Sequence, residues 1–207
     1  MSKYGGKSAT AEQVAALVRD GMWVDIGGVQ IARAFDRALA ERAGELKNVK
    51  VRMIGHLTPL EIMKKDPGAQ SFWTGNWHIL GHTRAYIAEN RGSHIPYNFG
   101  ETARYYRDSL DVDIAVQTVT PMDKHGYFNF GPLCNFKKAV FEKAKIKVVE
   151  VVEDMPWCYG GYDECIHLSD VDHVIENKTD KLITIPSPPA TDTDKKIAGR
   201  IAEMIPK

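Results

Sequence analysis

Residues 22–55 carry the pattern that most narrows what this chain can fold into. A short apolar run at 22–26 meets the pair Gly27-Gly28, an amphipathic stretch covers 31–43, and a second alternating run, NVKVRMIG, occupies 48–55. In the middle stretch Ala34, Phe35, Ala38 and Leu39 fall on one helical face, and Arg33, Asp36, Arg37 and Glu41 on the other. Strand-period runs flanking a helix-period segment predict strand, glycine turn, helix and strand. Strands joined by such a crossover lie parallel, so the unit is βαβ and the fold class α/β.

The same logic extends along the chain. A helix opens at 8–12, with Val14, Leu17 and Val18 on one face and Asp20-Gly21 as its stop. Strands are expected at 112–119 (VDIAVQTV), 146–152 (IKVVEVV) and 171–175, a hairpin-like piece at 127–130, a helix at 136–143 and an edge segment at 182–185. Residues 67–100 are poor in aliphatics and rich in aromatic, glycine and histidine residues, and read as site-forming surface without firm elements. Pro186-Ser187-Pro188-Pro189 marks a boundary, dividing the chain into a domain at 1–185 and a link with helix at 186–207. In that helix Thr191 to Asp194 form the cap, and Ile197, Ala198, Ile201 and Ile205 make an apolar stripe. It reads equally as the start of another domain or as a terminal helix docked on the first.

Charge removes several function classes. Lys plus Arg and Asp plus Glu are 27 each in 207 residues, so no global field draws in a nucleic-acid backbone or an anionic bilayer. An anionic partner must be held by a local site. No run approaches the roughly 18 apolar residues of a membrane span, and the start lacks a signal-peptide core, so a cytoplasmic protein is expected. Cys134, Cys158 and Cys165 are odd in number and match no zinc spacing, which predicts three reduced thiols.

Four segments could carry chemistry, and each has a plainer reading. The stretch 119–130 (VTPMDKHGYFNF) packs an acid, an imidazole and a glycine-led hairpin at a strand end, where open α/β sheets place ligands; a simple turn explains it too. Gly27-Gly28 can bring backbone N–H groups to a phosphate or oxyanion, or just turn the chain. His78 and His82 have metal-like spacing, but without the HExxH glutamate or a third ligand aromatic packing is the better account. Asp163 and Glu164 follow an aromatic, glycine-containing turn and read as loop carboxylates before catalysts.

The blocks DVDIA (111–115), VTPMDKHGYFNF (119–130), EKAK (142–145), VVEVVE (148–153), Met155-Pro156, Gly160-Gly161, ECIHLSDVD (164–172) and DKKIA (194–198) follow in one order. Asn76-Trp77-His78 and Arg84 add to them. Together they resemble the N-terminal region of the acetyl-CoA hydrolase/transferase family, the family I CoA-transferases of the 4-hydroxybutyrate and butyryl-CoA:acetate type.

The resemblance implies a three-layer α/β fold with a mostly parallel sheet, one of two such domains enclosing a cleft. It implies acyl-CoA and a short carboxylate as substrates, no permanently bound cofactor and no metal. In that family a glutamate carboxylate attacks the acyl-CoA thioester to give an anhydride; the CoA thiolate returns to form a glutamyl-CoA thioester, from which an incoming carboxylate collects CoA. The matching glutamate and its glycine-rich segment belong to the C-terminal domain, and none of Glu142, Glu150, Glu153 or Glu164 stands in that motif. The first glycine loop, 26–32, is shorter than the family's and lacks its proline.

The expected function is therefore the N-terminal half of a CoA-transferase, inactive alone, with acyl-CoA hydrolysis or a non-catalytic assembly module as alternatives. Gly27, Gly28 and Gln30 are the candidates nearest substrate, and Asn76, His78, Met122, His125 and Asn129 for the remaining lining. An exposed partner-facing surface leads us to expect self-association into a homo-oligomer.

Overall fold

The structure is a computed structural model that describes residues 3–206. Seven strands form one sheet: β1 (Trp23–Asp25), β4 (Val49–Met53), β5 (Phe72–Asn76), β6 (Gly92–His94), β7 (Ile114–Val119), β9 (Ile146–Val152) and β11 (His173–Asn177). Every pairing in it is parallel, in the order β11-β9-β7-β1-β4-β5-β6. The chain thus starts at the centre, builds outward through β4 to β6, then crosses back and builds the other way from β7. The reversal between β1 and β7 is a topological switch point, beside which such sheets bind ligands at the strands' carboxyl ends.

Helices cover both faces. Against one face lie α1 (Ala11–Ala15), α2 (Arg33–Ala40), α3 (Glu61–Lys65) and α4 (Gly81–Ala88), whose Val14, Phe35, Leu39, Ile62 and Tyr86 share a core with Val24, Val51, Ile114 and Val116. Against the other lie α5 (Thr102–Ser109) and α6 (Lys137–Lys143), with Tyr106, Val140 and Phe141 on Ala115, Val119, Val149 and Val151. Alternate residues of β7 serve opposite cores, as a strand buried on both sides requires. Two antiparallel pairs complete the fold: β2 (Gly27–Gly28) with β3 (Gln30–Ile31), and β8 (Tyr127–Asn129) with β10 (Cys165–His167). The three-layer α/β expectation agrees with this architecture.

Three local expectations do not. Residues 67–100 hold two parallel strands, β5 and β6, and helix α4. Their strand signal is hidden because a Cβ at Gly92 would stand 2.2 Å from Thr74 Oγ1: the edge strands meet through glycine instead of aliphatic side chains. Residues 182–185 pair with no strand among the described residues. Asp36, placed by periodicity on the solvent side, is buried and accepts the Glu61 and Ile62 N–H groups at 2.8 and 3.4 Å.

At the far end, α7 (Asp192–Met204) carries the Thr191/Asp194 capping box and buries none of its residues. Its Ile197, Ile201, Met204 and Ile205 stay more than half exposed.

Candidate functional site

The carboxyl end of β1 leads through Ile26 into the β2–β3 hairpin, whose tip is Val29 at φ 52°. A β-branched residue seldom occupies that left-handed region, so surrounding contacts must hold it there. They do: Val29 N–H donates to the Gly55 carbonyl at 2.6 Å, Leu57 N–H to the Val29 carbonyl at 3.4 Å and Ile54 N–H to the Gly27 carbonyl at 3.3 Å. On the other side Thr118 Oγ1 of β7 donates to the Gln30 carbonyl at 3.1 Å.

Gly27-Gly28 therefore does not simply turn the chain into α2; it forms a small hairpin pressed between β4 and β7. A Cβ at Gly28 would stand 2.5 Å from Ile54 Cβ, and one at Gly27, where φ is +81°, 2.8 Å from Gln117 Oε1. Only glycine permits that approach.

Beside the hairpin lies a cavity of about 160 Å³. Val29, Leu57, Pro132, Leu133, Met155 and Ile183 are among its apolar walls; Gln30, Thr118 and Lys137 are its polar members. Part of one wall is the extended segment 182–185, tied down where Leu182 N–H donates to both Asp154 carboxylate oxygens at 3.1 and 3.3 Å. A larger depression of about 350 Å³ between Lys138, Glu142, Lys147 and Asp172 lies toward the amino end of β9, away from the switch point.

Unmet hydrogen-bonding capacity gathers at the ligand-facing end. Five side-chain atoms are buried without a partner among the described residues; Arg91 Nε stands apart at the amino end of β6, and the other four are Gln30 Nε2, His56 Nε2, Asn76 Oδ1 and Gln117 Oε1. These four sit in or just after β3, β4, β5 and β7. Native proteins leave few such groups, and a cluster on one rim is where a ligand or ordered water belongs. His56 hydrogen-bonds the Thr58 carbonyl through Nδ1, and burial lowers its pKa to about 4, so the ring is neutral near pH 7. With Nδ1 donating, Nε2 is left as an acceptor.

Of the residues singled out in the sequence, Gln30 lines the cavity, and Gly27 and Gly28 build the hairpin that carries it. Asn76 ends β5, its Nδ2 donating to Thr74 Oγ1 at 3.3 Å. His78 is an exposed side chain whose backbone N–H donates to the Ile54 carbonyl at 2.5 Å, next to the hairpin's anchor. Met122, His125 and Asn129 do not line the cavity. Met122 packs on the α5/α6 core, and His125 is exposed in a turn where Asp123 Oδ1 accepts its N–H at 2.8 Å. Asn129 is buried and braces the 157–161 loop, accepting from Cys158 N–H and donating to the Cys158 carbonyl. Glu164 likewise accepts the Gly160 and Gly161 N–H groups.

Sequence reasoning missed Val29, His56, Leu57, Gln117, Thr118 and, above all, Lys137. One signal was available: Lys137, Val140, Phe141 and Ala144 follow i, i+3, i+4, i+7 spacing, which puts a cation at the end of an apolar stripe. No group of three or more His, Cys, Asp or Glu is placed to hold a metal ion among the described residues, no helix there is long and apolar enough to cross a membrane, and the three cysteines are unpaired.

Comparison with known proteins gives a consistent set of likenesses. The family described as acetyl-CoA hydrolase/transferase N-terminal domain matches residues 1–186. The butyryl-CoA:acetate CoA-transferase of Anaerostipes caccae is 39% identical over 207 residues, covering 99% of this chain and 46% of that protein. The probable butyrate:acetyl-CoA coenzyme A-transferase of Syntrophomonas wolfei is 39% identical with the same coverages. The crystal structure of RipA from Yersinia pestis superposes with a TM-score of 0.82 at 25% identity, over 98% of this chain and 49% of that one. The chain spans about half the length of the curated relatives it matches.

Proposed function

Because the chain belongs to the acetyl-CoA hydrolase/transferase family, we propose that it is the N-terminal half of a CoA-transferase that moves CoA between a short-chain acyl-CoA and a small carboxylate such as acetate. The observation that carries the reading is 39% identity, sustained over the whole chain, to a protein named for that reaction. The cavity and orphaned polar groups at the switch point support it, since they lie where an α/β sheet receives substrate.

In this reading Gly27, Gly28, Gln30, Asn76 and His78 belong to one wall of a cleft, and a second domain beyond the 186–189 link supplies the other wall and the attacking glutamate. The buried carboxylates of this half have structural work instead. Asp25 pairs with Arg52, Asp36 caps α3, and Glu150 accepts the Ala34 and Phe35 N–H groups at the start of α2 at 3.1 and 3.0 Å. CoA enters as substrate, no permanently held cofactor is needed, and three unpaired cysteines suit a cytoplasmic setting.

The test is acetyl-CoA formation from butyryl-CoA and acetate, followed by mass spectrometry. The 207-residue chain alone is expected to show no exchange, and the same chain joined to a second domain of the family is expected to show acetate-dependent exchange. Robust exchange by the chain alone overturns the division of labour, and CoA release independent of acetate in the joined protein identifies a hydrolase.

A further inference from the structure

Lys137 is buried to 3% exposure in the first turn of α6, yet among the described residues it has no carboxylate partner. Its Nζ reaches the carbonyls of Phe130 at 3.2 Å and Thr118 at 3.3 Å, and Thr118 Oγ1 at 3.5 Å. An ammonium has three protons. Two meet carbonyls and the Phe130 ring centroid lies 5.8 Å away, but the third proton's one hydrogen-bond contact is the longest of the three, to a hydroxyl that already donates to Gln30. None of the residues lining the cavity beside Lys137 is acidic. A buried cation without a counter-charge is costly, and either a lowered pKa or a bound anion relieves that cost.

A second group points to the same place. Gln30 lines the same cavity, is 8% exposed, and its Nε2 has no acceptor. Its backbone is pinned to Thr118, the residue Lys137 also contacts, so ammonium and amide are held from two sides of one bond network. Two unmet donors, one charged, with apolar walls around them, match a carboxylate carrying a short alkyl chain. The volume of about 160 Å³ is well below the roughly 300 Å³ at which drug-sized pockets begin, so the acid must be small.

We propose that Lys137 and the Gln30 side-chain amide form a carboxylate subsite, which takes the charged end of a free short-chain acid while its alkyl chain lies against Val29, Leu57 and Ile183. This assignment rests on the CoA-transferase reading for its biological meaning, but not for its physics. The ammonium donates to one carboxylate oxygen and Gln30 Nε2 to the other. Burial lowers the Lys137 pKa to about 8, which leaves it charged near neutrality.

The experiment is an NMR titration of the full 207-residue chain, selectively labelled at lysine Nζ, with butyrate, acetate and, as the neutral isostere, butyramide. Saturable movement of the Lys137 signal with the acids but not the amide is expected, weakened at least tenfold in Gln30→Leu. In Lys137→Met, saturable acid binding followed through the backbone amides of Gln30 and Thr118 is expected to be lost. Equal response to acid and amide, or no response, overturns the subsite; this comparison holds even if Lys137→Met fails to fold.

Kinetics of the two-domain protein separate this from the activity itself. There Lys137→Met is expected to raise KM for the carboxylate at least tenfold and leave KM for acyl-CoA within twofold. An unchanged carboxylate KM, or an equal rise for acyl-CoA, overturns the subsite while the transferase reading stands. Acid binding to Lys137 in a protein that transfers no CoA leaves the subsite and removes that reading.

Discussion

Arg52 and Asp25 face each other across neighbouring central strands as a two-pronged ion pair, with Nε to Oδ1 at 3.1 Å and Nη2 to Oδ2 at 2.8 Å, both side chains at most 3% exposed. Tyr106 donates to the same carboxylate, Trp77 Nε1 donates to the Tyr106 hydroxyl at 3.2 Å, and Arg52 also donates to the Asp111 carbonyl at 2.8 Å. This closed network pins α5 and β5 to the sheet's centre.

Breaking one partner strands the other charge. Asp25→Ala or Arg52→Ala is expected to cost about 3–5 kcal/mol in urea unfolding. The joint change Asp25→Leu with Arg52→Met and Tyr106→Phe is expected to recover most of that, because an apolar set of similar volume needs no counter-charge. A triple variant no more stable than the single ones contradicts this account.

Lys137 predicts the opposite sign. Its pKa falls from 10.5 to about 8 on folding because burial disfavours the ammonium. Between those values the unfolded chain binds more protons, so stability rises with pH from about 8 to 10.5, and below 8 the full penalty of about 3 kcal/mol applies. Lys137→Met removes the penalty and leaves the Thr118 and Phe130 carbonyls less well paired, at about 1 kcal/mol each. The expected result is a variant about 1 kcal/mol more stable at pH 7, with no stability slope between pH 8 and 10 from this site. Equal or lower stability shows that the ammonium is better satisfied than its contacts indicate.

Two buried groups oppose each other in mild acid. Burial raises Asp36 from 3.8 to about 6, so the native state holds its proton more tightly and stability from this site falls as pH rises from 4 to 6. Burial lowers His56 from 6.5 to about 4, so stability from that site rises over nearly the same window. Each is worth about 3 kcal/mol, and they largely cancel. In thermal melts from pH 4 to 6.5, Asp36→Asn is expected to tilt the profile upward with pH relative to the parent, and His56→Asn downward. Parallel profiles for all three proteins dismiss both assignments.

The apolar stripe of α7 has no cover within the described chain, and Ile197 and Ile201 lie one turn apart on it. The chain is expected to self-associate in light scattering at high concentration, and Ile197→Glu with Ile201→Glu to reduce this without moving the urea midpoint, since neither residue is buried. A parent chain that stays strictly monomeric removes the expectation of a homo-oligomer for this polypeptide.

The architecture was legible wherever side chains did the packing. β7, β9 and α6 lie where their apolar periodicity puts them, because strands and helices buried on a known side must repeat at their own period. β5 and β6 escaped because Gly75 and Gly92 let neighbours approach closely, and glycine carries no hydropathy signal. The site was half legible. Gly27, Gly28 and Gln30 stood out as a strand-to-helix glycine segment, but its folding into a hairpin depends on Ile54, Gly55 and Gln117, which are remote in sequence. Lys137 is a charge at the end of an apolar stripe, and by period alone such a residue reads as the rim of an ordinary helix. Asp36 departs from its periodicity because a carboxylate that caps another helix looks, by period alone, like a solvated one.

The segment 182–185 gives the cavity a boundary that belongs to no helix or strand. Strand β11 stands at the sheet's edge, yet the chain leaving it returns to the central seam, lays Ile183 and Ile185 along the cavity, and only then enters the 186–189 link. Its backbone tether at Leu182 grips the Asp154 carboxylate upstream of those isoleucines, leaving them between a fixed knot and a stiff proline rod. The cavity's outer wall thus runs straight into the 186–189 link with no helix or strand between them, so the width of the cavity and the course of the link are fixed by one continuous stretch of backbone.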